Sequence, residues 1–255
     1  MRRPLPRRLR HGEEATLVEH LGELRTRVVV SVAALVVGFV PAYVFHERLI
    51  DRLKRPLPDD ETLVTLGVTE PFFTSIKVSF FAALAVALPV LLWQLWSFLA
   101  PAVEEHTQRI VSAFVALGTA LFVGGAAFAY LIVLPRAIPF LVEFDEALYD
   151  TQVRASYYFS FVTLVMFGMG VMFELPIFVL ALVRLGVLTA GRLRRNRRIG
   201  YLIVVVFAVL LPTVDPVSLA FELVPLLLLY ELSIWLSVLM ERRWERAGVL
   251  WPSAR

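Results

Sequence analysis

Long apolar blocks separated by short charged segments set the pattern of this chain. A bilayer core of about 30 Å needs about 20 apolar residues in a helix. Blocks over residues 28–45, 78–100, 110–134 and 155–183 are long enough to cross. Two more, 199–211 and 217–240, complete a set of six predicted spans. The fifth holds only 13 residues, which at about 1.5 Å per residue reaches roughly 20 Å. In the sixth, Glu222 and Glu231 leave only 223–230 uninterrupted. Two adjacent short elements imply local membrane thinning. The pattern predicts an all-α integral membrane protein, one six-span domain over 1–255, with an even span count that puts both ends on one side.

Polar and helix-breaking residues punctuate the blocks. After the first span, which has Pro41 near its far end, Glu47, Arg48, Asp51, Arg52, Lys54 and Arg55 fall at helical spacing with Leu49, Ile50 and Leu53. Pro56 and Pro58 follow, so this segment predicts a short surface helix and then an extended turn. The second span contains Pro89 and closes with Trp93, Trp96 and Phe98, placed where an interfacial aromatic belt would lie. In the third, Gly118, Gly124, Gly125, Ala126 and Ala127 permit close helix approach, and Pro135 and Pro139 are expected to end it. The fourth is longer than a bilayer needs, so it is tilted, kinked at Pro176 or partly outside lipid.

Composition agrees: 58% of residues are hydrophobic, 18% are charged and the mean hydropathy is +0.74. That excludes an ordinary soluble domain. Residues 1–15 read as a basic cytoplasmic tail, because no apolar h-region precedes Glu13 and Glu14. Lys and Arg count seven up to Arg27, one at Arg109, six across 184–198 and four beyond Met240, against seven elsewhere of the 25. This bias puts both termini on the cytoplasmic side.

Candidate chemistry concentrates just before the first span. On a helix, Glu19 and Glu23 fall on one face, with His20 and Arg27 flanking it. Two carboxylates in a basic surrounding suit bidentate capture of a guanidinium. A solvated helix start, with Thr16 and Glu19 as a capping box, accounts for the same residues. Inside the apolar blocks, Glu174 lies deep in the fourth span, where a charge costs at least about 2.5 kcal/mol and function is the default reading. Gln94, Glu222 and Glu231 lie nearer interfaces, and Lys77 is read as a snorkelling structural residue.

The catalytic inventory is poor. The chain has no cysteine, and its four histidines, His11, His20, His46 and His106, fall outside the span interiors. No nucleophile–histidine pair, metal-spaced cluster or Gly-rich phosphate loop is present, so no enzyme activity, metal or cofactor is expected. A receptor that reads positive charge at Glu23 is one functional class. A proton-coupled small-molecule carrier with Glu174 and Glu222 as relay groups is another, although no internal repeat supports it.

Five ordered segments resemble the TatC family, the multi-spanning receptor of the twin-arginine protein translocase. They are His20-Leu21-Gly22-Glu23-Leu24-Arg25-Thr26-Arg27, Pro71-Phe72-Phe73 through Lys77, Trp96-Ser97-Phe98-Leu99-Ala100-Pro101, Phe173-Glu174-x-Pro176 and Asp215-Pro216-x-Ser218. The resemblance covers about 16–240 and implies a concave, glove-like arrangement of six helices with Glu174 facing the concavity. It also implies binding of the paired arginines in signal peptides of folded cargo, at Glu23 and Arg25 with Phe98 and Glu19 nearby. Pro56 and Asp215 would match outer-loop positions. Single-span TatA- or TatB-type subunits would be partners in homo- and hetero-oligomers, and the proton-motive force would drive export across a prokaryotic plasma membrane. Two positions depart from the family pattern. Where the family has a glutamate before a basic pair, this chain has Thr107-Gln108-Arg109, with Glu104 and Glu105 upstream as shifted second partners. A glutamine of the last span is replaced by Leu219, with Glu222 three residues on.

Overall fold

The computed structural model describes residues 17–59, 61–99, 106–144, 148, 152–184, 186–211 and 216–246. Ten α-helices and one π-helical turn account for nearly all of them. α1 (Leu17–Val44) crosses to α2 (His46–Leu53), a short polar helix, and α3 (Glu70–Leu99) returns. α4 (His106–Phe128) runs through a π turn (Ala129–Val133) into α5 (Leu134–Val142). α6 (Ala155–Phe173) and α7 (Leu175–Arg184) form one broken crossing. α8 (Ala190–Arg195), α9 (Arg197–Val209) and α10 (Pro216–Arg246) finish the chain. We call the side holding the starts of α1 and α9 the terminal face, and the side holding α2 the distal face.

Among the described residues, five helical stretches are long and apolar enough to cross a membrane. α9, with 13 residues, is short as expected, but α10 is not: it runs unbroken for 31 residues, and Ser218–Glu241 is long enough to cross. Glu222 and Glu231 are taken up by packing and pairing and do not interrupt the helix. α1 packs on α3, α3 on α4 and α6, α4 on α6, α7 on α10 and α10 on α9. The helices therefore follow one another in an open row, with α1 at one end and α9 at the other.

The main core lies around α6, where Val162, Val165 and Met169 are fully buried against Val133, Leu134 and Leu226. A smaller cluster joins Leu92 and Trp96 of α3 to Phe122 of α4 and Ile177 of α7. Trp96, expected in an interfacial belt, is buried here and meets Phe114 edge-on at 5.6 Å. It packs toward α4, whereas Trp93 is exposed.

Glycine sets the α4–α6 approach at one position and not at its neighbour. A Cβ on Gly125 would sit 2.5 Å from the Met169 carbonyl oxygen and 2.7 Å from Phe173 Cγ, whereas one on Gly124 would meet nothing within 4 Å. Gly118 also makes a close contact, with Leu92 Cδ1 2.9 Å from where its Cβ would be.

Prolines act differently in the two crossings. Pro176 separates α6 from α7 at Glu174, whose carbonyl accepts the amides of Ile177 and Phe178, both at 3.0 Å. A proline lacks the donor for the preceding turn and clashes with it, so the break falls where the sequence placed it. Pro135 and Pro139 do not end the third crossing as expected. The π turn just ahead opens the helix by one residue, Pro135 enters at the start of α5, and the helix continues to Val142.

Candidate functional site at the terminal face

α1 places Glu23 one turn before Arg27, the spacing at which side chains meet on a helix. Arg27 donates Nε to Glu23 Oε1 at 3.0 Å and Nη2 to the same oxygen. It also reaches across to α3, donating Nη2 to the Ser97 carbonyl at 3.0 Å and Nη1 to Gln94 Oε1 at 3.4 Å. One guanidinium thus joins the carboxylate on α1 to the last turns of α3. The Glu23 side chain keeps 34% of its surface exposed and that of Arg27 keeps 20%.

The structure brings Glu23, Arg27, Gln94 and Ser97 together, with half-buried Phe98 next along α3. Arg25 points into solvent. Glu19 lies on α1, but its side chain falls outside the described residues, as do Glu104, Glu105, Thr16 and Asp215. Pro56 is buried at the distal face, remote from this cluster along the chain.

The intramembrane acids separate into different environments. Glu174 is half-buried at the α6–α7 break, and its Oε1 is buried with no hydrogen-bond partner among the described residues. Glu222 is completely buried on α10. Glu231 accepts Tyr201 Oη and pairs with Arg197 Nη2 at 3.3 Å, clamping α9 to α10. Lys77, read as a structural residue, donates Nζ to Ser160 Oγ on α6 at 2.7 Å.

A polar cluster at the distal face was missed from sequence. Buried Glu70 accepts Arg154 Nε at 3.0 Å, the Ser156 amide at 3.1 Å and the Leu66 amide at 2.9 Å. Glu70 holds the Arg154 guanidinium above its ordinary pKa by that hydrogen bond. Val64 pairs with the same segment, donating to Val153 O at 3.0 Å and accepting from Ala155 N at 2.9 Å. The contacts are far apart in sequence, so no local spacing signalled them.

The fold is that of a multi-span membrane protein, and the comparisons with known proteins place it in the protein-translocase class. The chain is similar to a crystal structure of the twin arginine translocase receptor TatC in the detergent DDM, with a TM-score of 0.76 and 35% identity over 86% of this chain and 99% of that one. The family model described as Sec-independent protein translocase protein (TatC) matches residues 19–225. The chain belongs to the TatC family. Among its relatives, the Sec-independent protein translocase protein TatC of Aquifex aeolicus (strain VF5) is 38% identical over 236 residues, covering 89% of this chain and 96% of that protein. The TatC of Magnetococcus marinus is 34% identical over 235 residues, covering 91% and 87%. Family membership does not favour the small-molecule carrier reading.

Proposed function

We propose that this chain is the receptor subunit of a twin-arginine translocation system, with Glu23 as the carboxylate that takes an arginine of the cargo's signal peptide. One observation carries the reading: Glu23 already accepts a guanidinium, that of Arg27, while a third of its side-chain surface stays open. Cargo binding at Glu23 is then an exchange of one arginine for another, which involves no new type of contact. Glu104 and Glu105, on the connection between α3 and α4, are the proposed partners for the second arginine, and Phe98 borders the site.

In this reading both chain ends lie in the cytoplasm of a bacterium and the protein sits in its plasma membrane. Single-span TatA- and TatB-type subunits dock along α6 to α10, and the proton-motive force supplies the energy. The chain organises transport and catalyses no reaction.

Photo-crosslinking tests this directly. A signal peptide carrying a photoreactive group near its two arginines should label residues around Glu23, and Glu23→Ala should cut labelling by about tenfold or more, the value of a lost charged hydrogen bond. Undiminished labelling of the membrane-inserted variant would remove Glu23 from the site.

A further inference from the structure

A cavity of about 390 Å³ lies beneath α2 on the distal side, between α3, α4 and α6. Its walls are apolar: Phe122 and Phe81 both pack edge-on against Phe167, at 5.6 and 5.5 Å, and Ala82, Ala85 and Ala126 leave the space open. Two polar side chains in its lining are already committed. Thr163 donates to the Phe159 carbonyl at 2.6 Å, and Tyr130 donates to the Arg52 carbonyl at 2.7 Å. A polar solute would find little to bind inside.

The rim is different. Arg52 and Arg55 line the cavity and are exposed, and among the described residues no carboxylate shares the lining. On α2, Arg52 falls beside the apolar edge formed by Leu49 and Leu53, with Glu47 and Asp51 farther round the helix, and Arg55 lies in the turn that follows α2. Arg48 is engaged elsewhere, over the Phe45 ring at 5.3 Å. The result is an oily slot with two guanidiniums at its mouth, level with the end of a membrane-crossing bundle.

We propose that this cavity, capped by Arg52 and Arg55, binds one anionic phospholipid, an acyl chain entering the slot and the phosphate meeting the two arginines. Guanidiniums take a phosphate through paired charged hydrogen bonds, and a volume of this size matches a small-ligand site. A helix of a protein partner, about 10 Å across with its side chains, is too wide for it. The charge at the mouth argues against an uncharged apolar peptide segment. The proposal is independent of the signal-peptide reading, which concerns the opposite face.

The test uses the full chain purified in detergent and exchanged into mixed phosphatidylglycerol and phosphatidylethanolamine, with retained lipid counted by native mass spectrometry. The intact protein should retain phosphatidylglycerol preferentially. Arg52→Gln with Arg55→Gln should reduce that preference by about tenfold or more, the value of a lost charged hydrogen bond. Ala126→Phe should fill the slot and abolish retention of either lipid. Ala82→Leu serves the same purpose if Ala126→Phe does not fold. Equal retention of both lipids by the intact protein, or retention undisturbed in a folded slot-filled variant, would overturn the proposal. So would a signal peptide that crosslinks into the slot and leaves the lipid count unchanged.

Discussion

Arg27 places two donors on a single oxygen of Glu23 and spends the rest of its guanidinium on α3. The arginine is a strut between two helices and, in the proposed function, a stand-in for the arginine of the cargo. Arg27→Gln should lower stability by about 1 kcal/mol, because the surviving amide cannot satisfy Glu23 and the Ser97 carbonyl together. Thermal unfolding in detergent measures this, and Arg27→Lys, which keeps the charge and loses the fork, should fall between the two. Equal stability of all three proteins would show that the crossing to α3 contributes nothing.

Glu174 should separate fold from function. It lies at a break already imposed by Pro176, so Glu174→Gln is expected to change stability by no more than about 1 kcal/mol, the net worth of one hydrogen bond. Signal-peptide crosslinking at Glu23 should persist, while export of a folded cargo or assembly with partner subunits falls. Full export by the variant would make this acid structural.

The two adjacent glycines of α4 give an internally controlled pair. Gly125→Ala should push α4 off α6 at the Met169 carbonyl and Phe173, costing about 1–3 kcal/mol. Gly124→Ala faces open space and should be neutral or slightly stabilising through helix propensity. Matching unfolding temperatures for the two variants would contradict the observed packing.

At the distal face, Glu70→Ala should loosen two segments at once, since one carboxylate holds Leu66, Arg154 and Ser156. Hydrogen exchange is the measurement: the Leu66 and Ser156 amides should lose protection together, with α9 and α10 unaffected. Arg154→Gln should produce the smaller effect, because both backbone donors remain satisfied. Loss of protection confined to one segment would show that Glu70 does not couple them.

Much of this architecture was legible because membrane crossing writes itself into length and hydropathy, and because Pro176 and the Glu23–Arg27 spacing are local signals. What lay beyond sequence depended on distant partners. Gln94 was placed near an interface, but its role as an acceptor for Arg27 arises only when α1 lies along α3. Glu70 and Arg154 are separated by 84 residues, and no periodicity links them. Pro135 and Pro139 were misjudged because a π turn, which has no clear sequence signature, absorbs them.

Two phenols fix what the distal end can do. Tyr130 and Tyr158 donate to the consecutive carbonyls of Arg52 and Leu53, at 2.7 and 2.9 Å, so the last turn of α2 is pinned to two separate uprights. A crosspiece fastened at both posts braces the frame and resists being lifted. Any displacement of α2 therefore has to break both bonds or carry the two uprights with it.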